Sequence, residues 1–251
     1  MEVFRLDGEI AMITGGGTGL GLGIARCMAA AGARVVVIGR REDVLQTSLK
    51  ELGGGAAYEV FDVTDVAAAP ALVRRIEEQH GPVSILVNNA GIHLKKPALE
   101  TTEDELLRVF NTHVTGAFAL TRAVAPGMVR RRHGSILFIA SMASLFGIPK
   151  VVAYTAAKAA YLGLVNSLTT ELSPSNVRVN AIAPGWIDSP MMRAAVDSDP
   201  ERKAKILGRT PMCRFGQPGD VGWAAVYLCS PAAAFVTGVV LPVDGGASIG
   251  F

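Results

Sequence analysis

Short runs of apolar and β-branched residues alternate along the chain with longer segments in which apolar residues recur at helical spacing. The apolar runs predict strands at residues 9–14, 33–38, 57–61, 83–87, 134–140, 177–182 and 237–243. The helical spacing between them predicts helices at residues 20–31, 42–52, 65–80, 101–130, 150–172 and 217–229. Strands that alternate with helices in this way form a parallel sheet. The pattern therefore predicts an α/β fold, a doubly wound parallel sheet of about seven strands with helices on both faces.

The composition favours one domain with a single large core. Half of the 251 residues are apolar, which is enough for a chain of this length to bury such a core. No repeat, linker or low-complexity tract divides the chain. We therefore expect residues 1–251 to form a single domain.

Charge and cysteine content narrow the partners and the location. The 24 Lys and Arg residues nearly balance the 22 Asp and Glu residues, so nothing indicates binding to nucleic acid or to an anionic membrane. Cys27, Cys213 and Cys229 are odd in number and widely spaced, which indicates reduced thiols. Because neither a signal peptide nor a long apolar span is visible, a cytoplasmic location is expected. No metal site is predicted.

A glycine-rich turn, Thr14-Gly-Gly-Gly-Thr-Gly-Leu-Gly21, separates the first predicted strand from the first predicted helix. Glycines let the backbone approach a pyrophosphate, which then lies at the positive end of the helix. The spacing of Gly15, Gly19 and Gly21 differs from the common dinucleotide fingerprint with an acidic residue about twenty positions later. The turn still predicts a phosphate-binding site.

The end of the second predicted strand bears on the choice of dinucleotide. Residues 39–41 fall where an adenosine ribose would lie, and they read Gly39-Arg40-Arg41. No carboxylate is present there to bind a 2′-hydroxyl, whereas two guanidinium groups are available for a 2′-phosphate. This favours NADP(H), with NAD(H) as the alternative, in which Arg40 and Arg41 form only a solvated helix start.

Tyr154 and Lys158 lie four residues apart in an Ala-rich predicted helix, so both project from one face. A free phenol ionises near pH ~10, and a neighbouring cation lowers that pKa, so the pair can act as an acid or base. Ser141 follows the predicted strand at 134–140 and faces the edge where ligands bind in open α/β sheets. The alternative is an ordinary amphipathic helix with a buried Tyr and a solvated Lys.

Five motifs, in this order, resemble those of the short-chain dehydrogenase/reductase family: Thr14–Gly21, Asn88-Asn-Ala-Gly91, Ser141, Tyr154-x-x-x-Lys158 and Pro184-Gly185. The match runs over nearly the whole chain. The resemblance implies a single Rossmann-type domain that interconverts an alcohol and a ketone with NAD(P). It also implies that Ser141 binds the carbonyl oxygen, that Tyr154 exchanges the proton, and that Lys158 lowers the phenol pKa and binds the nicotinamide ribose.

The same resemblance assigns a path for the cofactor along the carboxyl ends of the strands. Asp62 would bind the adenine, Ile187 would contact the carboxamide, and Ser189 stands where Thr is usual. The residues expected to bind the cofactor are Gly15, Gly17, Thr18, Gly19, Leu20, Gly21, Gly39, Arg40, Arg41, Asp62, Val63, Asn89, Ala90, Gly91, Tyr154, Lys158, Pro184, Gly185, Ile187 and Ser189. Thr18 weakens the preference for NADP(H), since NADP-using relatives often carry a basic residue there.

His113 is the main departure from the family. Relatives carry Asn at this position, three residues before a Gly-x-Phe, where it holds a water that links the lysine to bulk solvent. We include His113 among the catalytic residues and expect it to act through its backbone carbonyl. Two alternatives are a proton relay through the imidazole and a packing role only. A second histidine, His93, follows the Asn-Asn-Ala-Gly motif; it could reach the substrate, but a place in a surface loop is the favoured interpretation.

The substrate remains open at this level. Residues 214–246 resemble sugar-acid and polyol dehydrogenases such as gluconate 5-dehydrogenase, and also 3-oxoacyl-carrier-protein reductases. A third alternative is a dinucleotide-binding protein without turnover, which only His113 supports. Residues 190–212 show poor periodicity and are expected to form a mobile segment over the substrate.

Small and apolar residues cover more of two predicted helices than one sheet face can bury, which indicates contact with other subunits. The residues concerned are Ala117, Ala119, Ala123, Ala156, Ala157 and Ala160. The family resemblance points to a homotetramer. The other expected partner is a small alcohol or ketone.

Overall fold

In the computed structural model, which describes residues 2–189, 192–193 and 199–250, the strands form one parallel sheet. They are β1 Ile10–Thr14, β2 Arg34–Gly39, β3 Ala57–Val60, β4 Ile85–Asn88, β5 Gly134–Ile139, β6 Val177–Pro184 and β7 Val240–Val243. The strand order is β3-β2-β1-β4-β5-β6-β7, so the predicted seven-stranded parallel sheet is confirmed. The order reverses between β1 and β4, and ligands bind at such a switch point.

Helices cover both faces of the sheet. They are α1 Gly19–Ala30, α2 Glu42–Leu52, α3 Ala69–His80, α4 Glu103–Phe110, α5 Gly116–Arg131, α6 Val152–Leu172, α7 Pro200–Arg209 and α8 Pro218–Cys229. One core contains Met12 of β1 with residues of α3, α5 and α6. The other contains Ala11 and Ile13 with residues of α1, α2 and α8. Because β1 is buried on both faces, its sequence is continuously apolar rather than alternating.

The helix predicted over residues 101–130 is divided. Thr102 and Glu105 form a capping box at the start of α4, as its Thr and acidic first turn indicate. A π-helical turn, Asn111–Thr115, then separates α4 from α5. Such a turn accommodates one extra residue, and it frequently lies at a functional site. His113 is at its centre.

The segment 190–212, predicted to be irregular, contains a helix. Asp199 caps α7 by accepting a hydrogen bond from the Arg202 amide at 2.9 Å, and Pro200 occupies its first turn. Ile206 on α7 is buried. Residues 190–191 and 194–198, which belong to the same predicted mobile segment, lie outside the described residues.

Three observations concern the wider sequence-based expectations. Cys27 and Cys229 are buried and Cys213 is exposed, and all three are free thiols. Within the described part of the chain, no helix combines the length and apolarity needed to cross a bilayer. The same residues contain no group of three or more His, Cys, Asp or Glu side chains arranged to hold a metal ion.

Candidate active site

The carboxyl end of β5 and the first turns of α6 bring three candidate catalytic side chains to one edge of the sheet. Ser141 follows β5 after one residue, and its Oγ accepts a hydrogen bond from the Ala143 amide at 3.1 Å. Tyr154 and Lys158 lie one turn apart on α6, so they share a face. The Ser141 side chain also forms a hydrogen bond with Tyr154. The three predicted residues are therefore together.

Lys158 is a buried cation with a backbone acceptor. Lys158 is only 3% exposed, and its Nζ donates a hydrogen bond to the Ile139 carbonyl oxygen at 2.5 Å. Nζ is 5.7 Å from the centroid of the Tyr154 ring. Burial lowers the pKa of Lys158 to about 7, since a charged form loses its hydration there.

Tyr154 titrates differently from the sequence-based expectation. Burial raises the pKa of its phenol, and the hydrogen bond with Ser141 opposes this only in part. The expected lowering of the phenol pKa is therefore wrong for this arrangement, because desolvation outweighs the favourable contacts. At neutral pH the phenol holds its proton and is poised as a donor.

His113 is anchored to the loop that follows β4. Its residue is 1% exposed, and its Nε2 lies 2.8 Å from the Ile92 oxygen and 3.1 Å from the Ile92 nitrogen. One ring nitrogen can either donate or accept, so it satisfies one of these groups at a time. His113 Nδ1 is buried without a hydrogen-bond partner. The imidazole therefore serves as a single-point anchor for Ile92.

The surroundings keep the His113 ring neutral. Burial, followed by the charge of Lys158, lowers its pKa to about 3, although the contact with Ile92 opposes the shift. The ring lies edge-on to Tyr154, with centroids 5.6 Å apart. A side chain at Gly91 would collide with the His113 ring. The His113 ring therefore leaves room only for glycine at position 91.

The glycine-rich turn fits a dinucleotide. Gly15 and Gly19 have positive φ angles of 64° and 53°, and a Cβ at Gly21 would collide with the Gly15 carbonyl oxygen. A Cβ at Gly19 would meet open space. Thr18, the N-cap of α1, makes no side-chain capping hydrogen bond. The amino end of α1 is therefore open to an anion.

A cleft runs from this turn along the ends of β2, β3 and β4. Among the predicted cofactor residues, it is lined by Gly15, Gly17, Thr18, Gly39, Arg40, Arg41, Asp62, Val63, Ala90 and Gly91. The sequence analysis missed further lining residues: Ile38, Val44, Leu45, Phe61, Ile92 and Thr112. Most of these are apolar neighbours of residues that were named. Apolar side chains at these positions are equally typical of the hydrophobic core, so the sequence does not distinguish a cleft lining from a core position.

The other ten predicted cofactor residues are not part of this cleft lining: Gly19, Leu20, Gly21, Asn89, Tyr154, Lys158, Pro184, Gly185, Ile187 and Ser189. Asn89 Nδ2 instead donates to the Thr14 oxygen at 2.9 Å and to the Gly15 oxygen at 3.2 Å. The side chain therefore ties the glycine-rich turn to the end of β4. Gly21 contributes by its close approach to Gly15 rather than by facing the cleft.

Arg40 and Asp62 meet at the adenosine end of the cleft. Arg40 Nη1 lies 3.7 Å from Asp62 Oδ2, and the Arg40 side chain is 70% exposed. Partial burial raises the pKa of Asp62, but hydrogen bonds from Thr64 and the charge of Arg40 outweigh it and hold that pKa below its usual range. An exposed guanidinium thus stands at the place expected for a 2′-phosphate.

The loop after β6 lies beside Ser141. The Ala140 amide donates to the Ile182 oxygen at 2.8 Å, which aligns the ends of β5 and β6. Ile187 is buried and pairs with Gly216 in an isolated bridge. The Ser189 hydroxyl accepts a hydrogen bond from the Met192 amide at 3.2 Å. Residues 185–189 thus leave the same edge of the sheet as Ser141, and Ile187 lines a second cleft with Trp186 and Asp244.

His93 lies against Tyr154, and two cationic side chains act on its ring. His93, expected in a surface loop, has its ring centroid 5.0 Å from that of Tyr154. Burial lowers the pKa of His93, and the charges of Arg202 and Lys95 lower it further. We call His93, Lys95 and Arg202 the rim.

Comparison with known proteins is consistent with this geometry. The family model described as enoyl-(acyl carrier protein) reductase matches residues 15–248. The chain is 42% identical to galactitol 2-dehydrogenase (L-tagatose-forming) from Cereibacter sphaeroides, with 98% of each chain covered. It is 38% identical to 2-dehydro-3-deoxy-D-gluconate 5-dehydrogenase from Pseudoalteromonas atlantica, again with 98% of each covered. A gluconate 5-dehydrogenase from Burkholderia cenocepacia, solved with NADP and tartrate, superposes with a TM-score of 0.95 at 34% identity, covering 100% of this chain and 99% of that one.

Proposed function

This chain belongs to the short-chain dehydrogenase/reductase family, and from that premise we propose that it interconverts a secondary hydroxyl and a ketone on a sugar acid or polyol. It is an NAD(P)-dependent oxidoreductase that acts on CH–OH groups. The convergence of Ser141, Tyr154 and Lys158 at the carboxyl end of β5 is the observation that supports their catalytic roles in this proposal.

In the reducing direction, the Ser141 hydroxyl holds the substrate carbonyl oxygen and Tyr154 donates the proton to it. Burial raises the pKa of Tyr154, so the donor is protonated at neutral pH. In the oxidising direction Tyr154 first releases its own proton to solvent and then, as the phenolate, takes the hydroxyl proton of the substrate; a positive charge on Lys158 would stabilise that phenolate. Lys158 therefore acts as the charge partner of the phenol and binds the nicotinamide ribose.

The cofactor supplies or accepts the hydride when it is bound. The open amino end of α1 would hold the pyrophosphate, and Asp62 would hold the adenine. Arg40 is exposed at the ribose end of the cleft, which supports NADP(H) over NAD(H). The related gluconate 5-dehydrogenase of known structure was solved with NADP, in agreement with this preference.

The rim favours a sugar acid over a neutral polyol. His93 stands against Tyr154, and the charges of Lys95 and Arg202 act on its ring. A carboxylate on the substrate would be attracted by the charges of Lys95 and Arg202, whereas a neutral polyol would gain nothing from them. The proposed substrate is accordingly a hydroxy- or oxo-acid of sugar size, bound with its carboxylate toward the rim.

A substrate panel tests the proposal. Gluconate, 2-dehydro-3-deoxygluconate, galactitol and a 3-oxoacyl thioester are each offered with both cofactors, and the change in nicotinamide absorbance is followed. We expect turnover of an acid with NADP(H) and lower kcat/KM for it in Lys95→Ala, with galactitol turnover unchanged in that variant. Preference for the thioester would support an acyl-carrier-protein reductase. Cofactor binding without turnover of any compound would support the non-catalytic alternative.

Assembly as a homotetramer is also proposed. Two of the alanines predicted to lie in this surface, Ala117 and Ala157, are instead buried within the protomer, and Ala119 and Ala123 pack against its core. The same helices nevertheless expose Leu107, Phe118 and Val152, at 53%, 40% and 40% of their surface. Exposed apolar side chains of this size favour contact with further subunits. Light scattering at micromolar concentration tests this, and a monomeric mass contradicts it. The single-domain reading of residues 1–251 and the cytoplasmic location stay predictions.

A further inference from the structure

Tyr161 lies one turn beyond Lys158 on α6 and contacts both Lys158 and the π-helical turn that contains His113. It is completely buried, and its hydroxyl donates a hydrogen bond to the His113 carbonyl oxygen at 2.9 Å. Burial raises the pKa of Tyr161, so its phenol remains a donor. This hydrogen bond joins α6 to the π-helical turn over a separation of 48 residues.

The face of the Tyr161 ring is turned toward Lys158. The Lys158 Nζ lies 4.8 Å from the centroid of this ring, which is closer than the 5.7 Å to the Tyr154 ring. The Phe138 ring packs against Tyr161 with centroids 5.0 Å apart and supports it from β5. The ammonium therefore lies between the Ile139 carbonyl oxygen and an aromatic face, both of which carry negative potential.

We propose that Tyr161 is a positioning residue for the reaction: its ring keeps Lys158 charged, and its hydroxyl holds the turn that places His113 against Tyr154. The first effect follows because a desolvated ammonium is stabilised by an aromatic face. The second follows because the His113 ring lies edge-on to Tyr154, so a shift of the turn displaces the phenol. The inference rests on the proposed role of Lys158 in binding the cofactor ribose.

A simpler role for Tyr161 is to fill the core. An aliphatic residue would then serve as well, and no consequence for Lys158 would follow. The two roles are separable, because the ring and the hydroxyl can be removed independently. Tyr161→Phe removes the hydroxyl and keeps the ring. Tyr161→Met and Tyr161→Leu remove both, with two different apolar shapes. Val165→Ala is the matched control, since Val165 lies one turn further on α6 and is completely buried in the same core.

The experiment measures the Kd of NADPH by fluorescence as a function of pH. Lys158 binds the nicotinamide ribose of NADPH while its ammonium is charged. The affinity of the protein for NADPH therefore weakens as the pH rises through the pKa of Lys158. The part of the pH dependence of Kd that disappears in Lys158→Met is assigned to the titration of Lys158. In Tyr161→Met and Tyr161→Leu the midpoint of that titration is expected to move down by about one pH unit. In Tyr161→Phe and Val165→Ala it is expected to stay in place. The other titratable side chains around Lys158 are Tyr154, Tyr161 and His113, and the His113 ring is neutral over this range.

The hydroxyl is tested by kcat. Tyr161→Phe is expected to lower kcat by about tenfold at unchanged NADPH affinity, because the turn loses its tie while the ring remains. A parental kcat in Tyr161→Phe, or a parental midpoint in the ring-free variants, overturns the inference. If neither ring-free variant folds, kcat of Tyr161→Phe decides alone. If Lys158→Met keeps the parental pH dependence of Kd, the proposed role of Lys158 fails instead.

Discussion

We expect the free energy of unfolding to fall in acid mainly because of His113. The folded protein holds this imidazole neutral, with a pKa lowered to about 3 from an ordinary value of 6.5. Because the folded pKa is depressed, the unfolded chain binds this proton first as the pH falls. The stability that the neutral ring allows is therefore complete above the unfolded pKa and is lost progressively as pH falls toward the folded value.

The magnitude follows from the interval between the two pKa values. A pH of about 5 lies about 1.5 units below the pKa of the His113 imidazole in the unfolded chain, whereas the same imidazole in the folded protein is still unprotonated. At 1.36 kcal/mol per unit, this difference corresponds to about 2 kcal/mol of stability. His113→Asn removes the titrating group. We therefore expect the parent to lose about 2 kcal/mol more than this variant between about pH 8 and about pH 5.

Urea unfolding at both pH values, at one protein concentration, measures this difference. The control is His133→Asn, because His133 is a surface side chain, 57% exposed and hydrogen-bonded to Glu9. This control should lose as much stability as the parent on acidification. Equal losses in the parent and His113→Asn would refute the reasoning, since they would mean that the buried imidazole takes up its proton without unfolding. The pH–rate profile of the parent should likewise show no inflection near neutrality that His113→Asn removes.

Other substitutions test the remaining assignments. Tyr154→Phe should reduce kcat by more than a hundredfold with nearly unchanged cofactor Kd, because only the exchangeable proton is lost; activity within tenfold of the parent, measured by initial rates, contradicts the role. Arg40→Asp should shift the ratio of kcat/KM values from NADP(H) toward NAD(H), because a carboxylate repels the 2′-phosphate, and a parent that already prefers NAD(H) contradicts the assignment. Gly21→Ala should weaken cofactor binding at least tenfold by calorimetry, because its Cβ collides with the Gly15 oxygen, and parental affinity would show that the turn can relax.

Most elements and their succession along the chain were accessible from the sequence because their signals are local. A buried parallel strand such as β1 is continuously apolar, and the Tyr154–Lys158 spacing places two side chains on one helix face whatever the helix packs against. The helix at 103–131 was accessible only in part. Every residue from Asn111 to Thr115 is compatible with an α-helix, so nothing local predicts the π-helical turn.

The contacts that tune the candidate site are different in kind. His113 meets Ile92 across 21 residues and Tyr161 across 48 residues, and no periodicity relates residues so far apart. His93 is an exposed loop residue, as expected, but only the fold shows that its ring lies against Tyr154.

The sequence by itself determined most of the elements, their succession along the chain, and which side chains bring the chemistry, because propensity, periodicity and spacing act over one or two turns. Only the tertiary structure decided how those side chains titrate. Burial raises the pKa of Tyr154 and lowers that of Lys158 to about 7, in each case by disfavouring the charged form. Desolvation and the distance between charges depend on the whole packed environment, and that environment is assembled from residues distant in the chain.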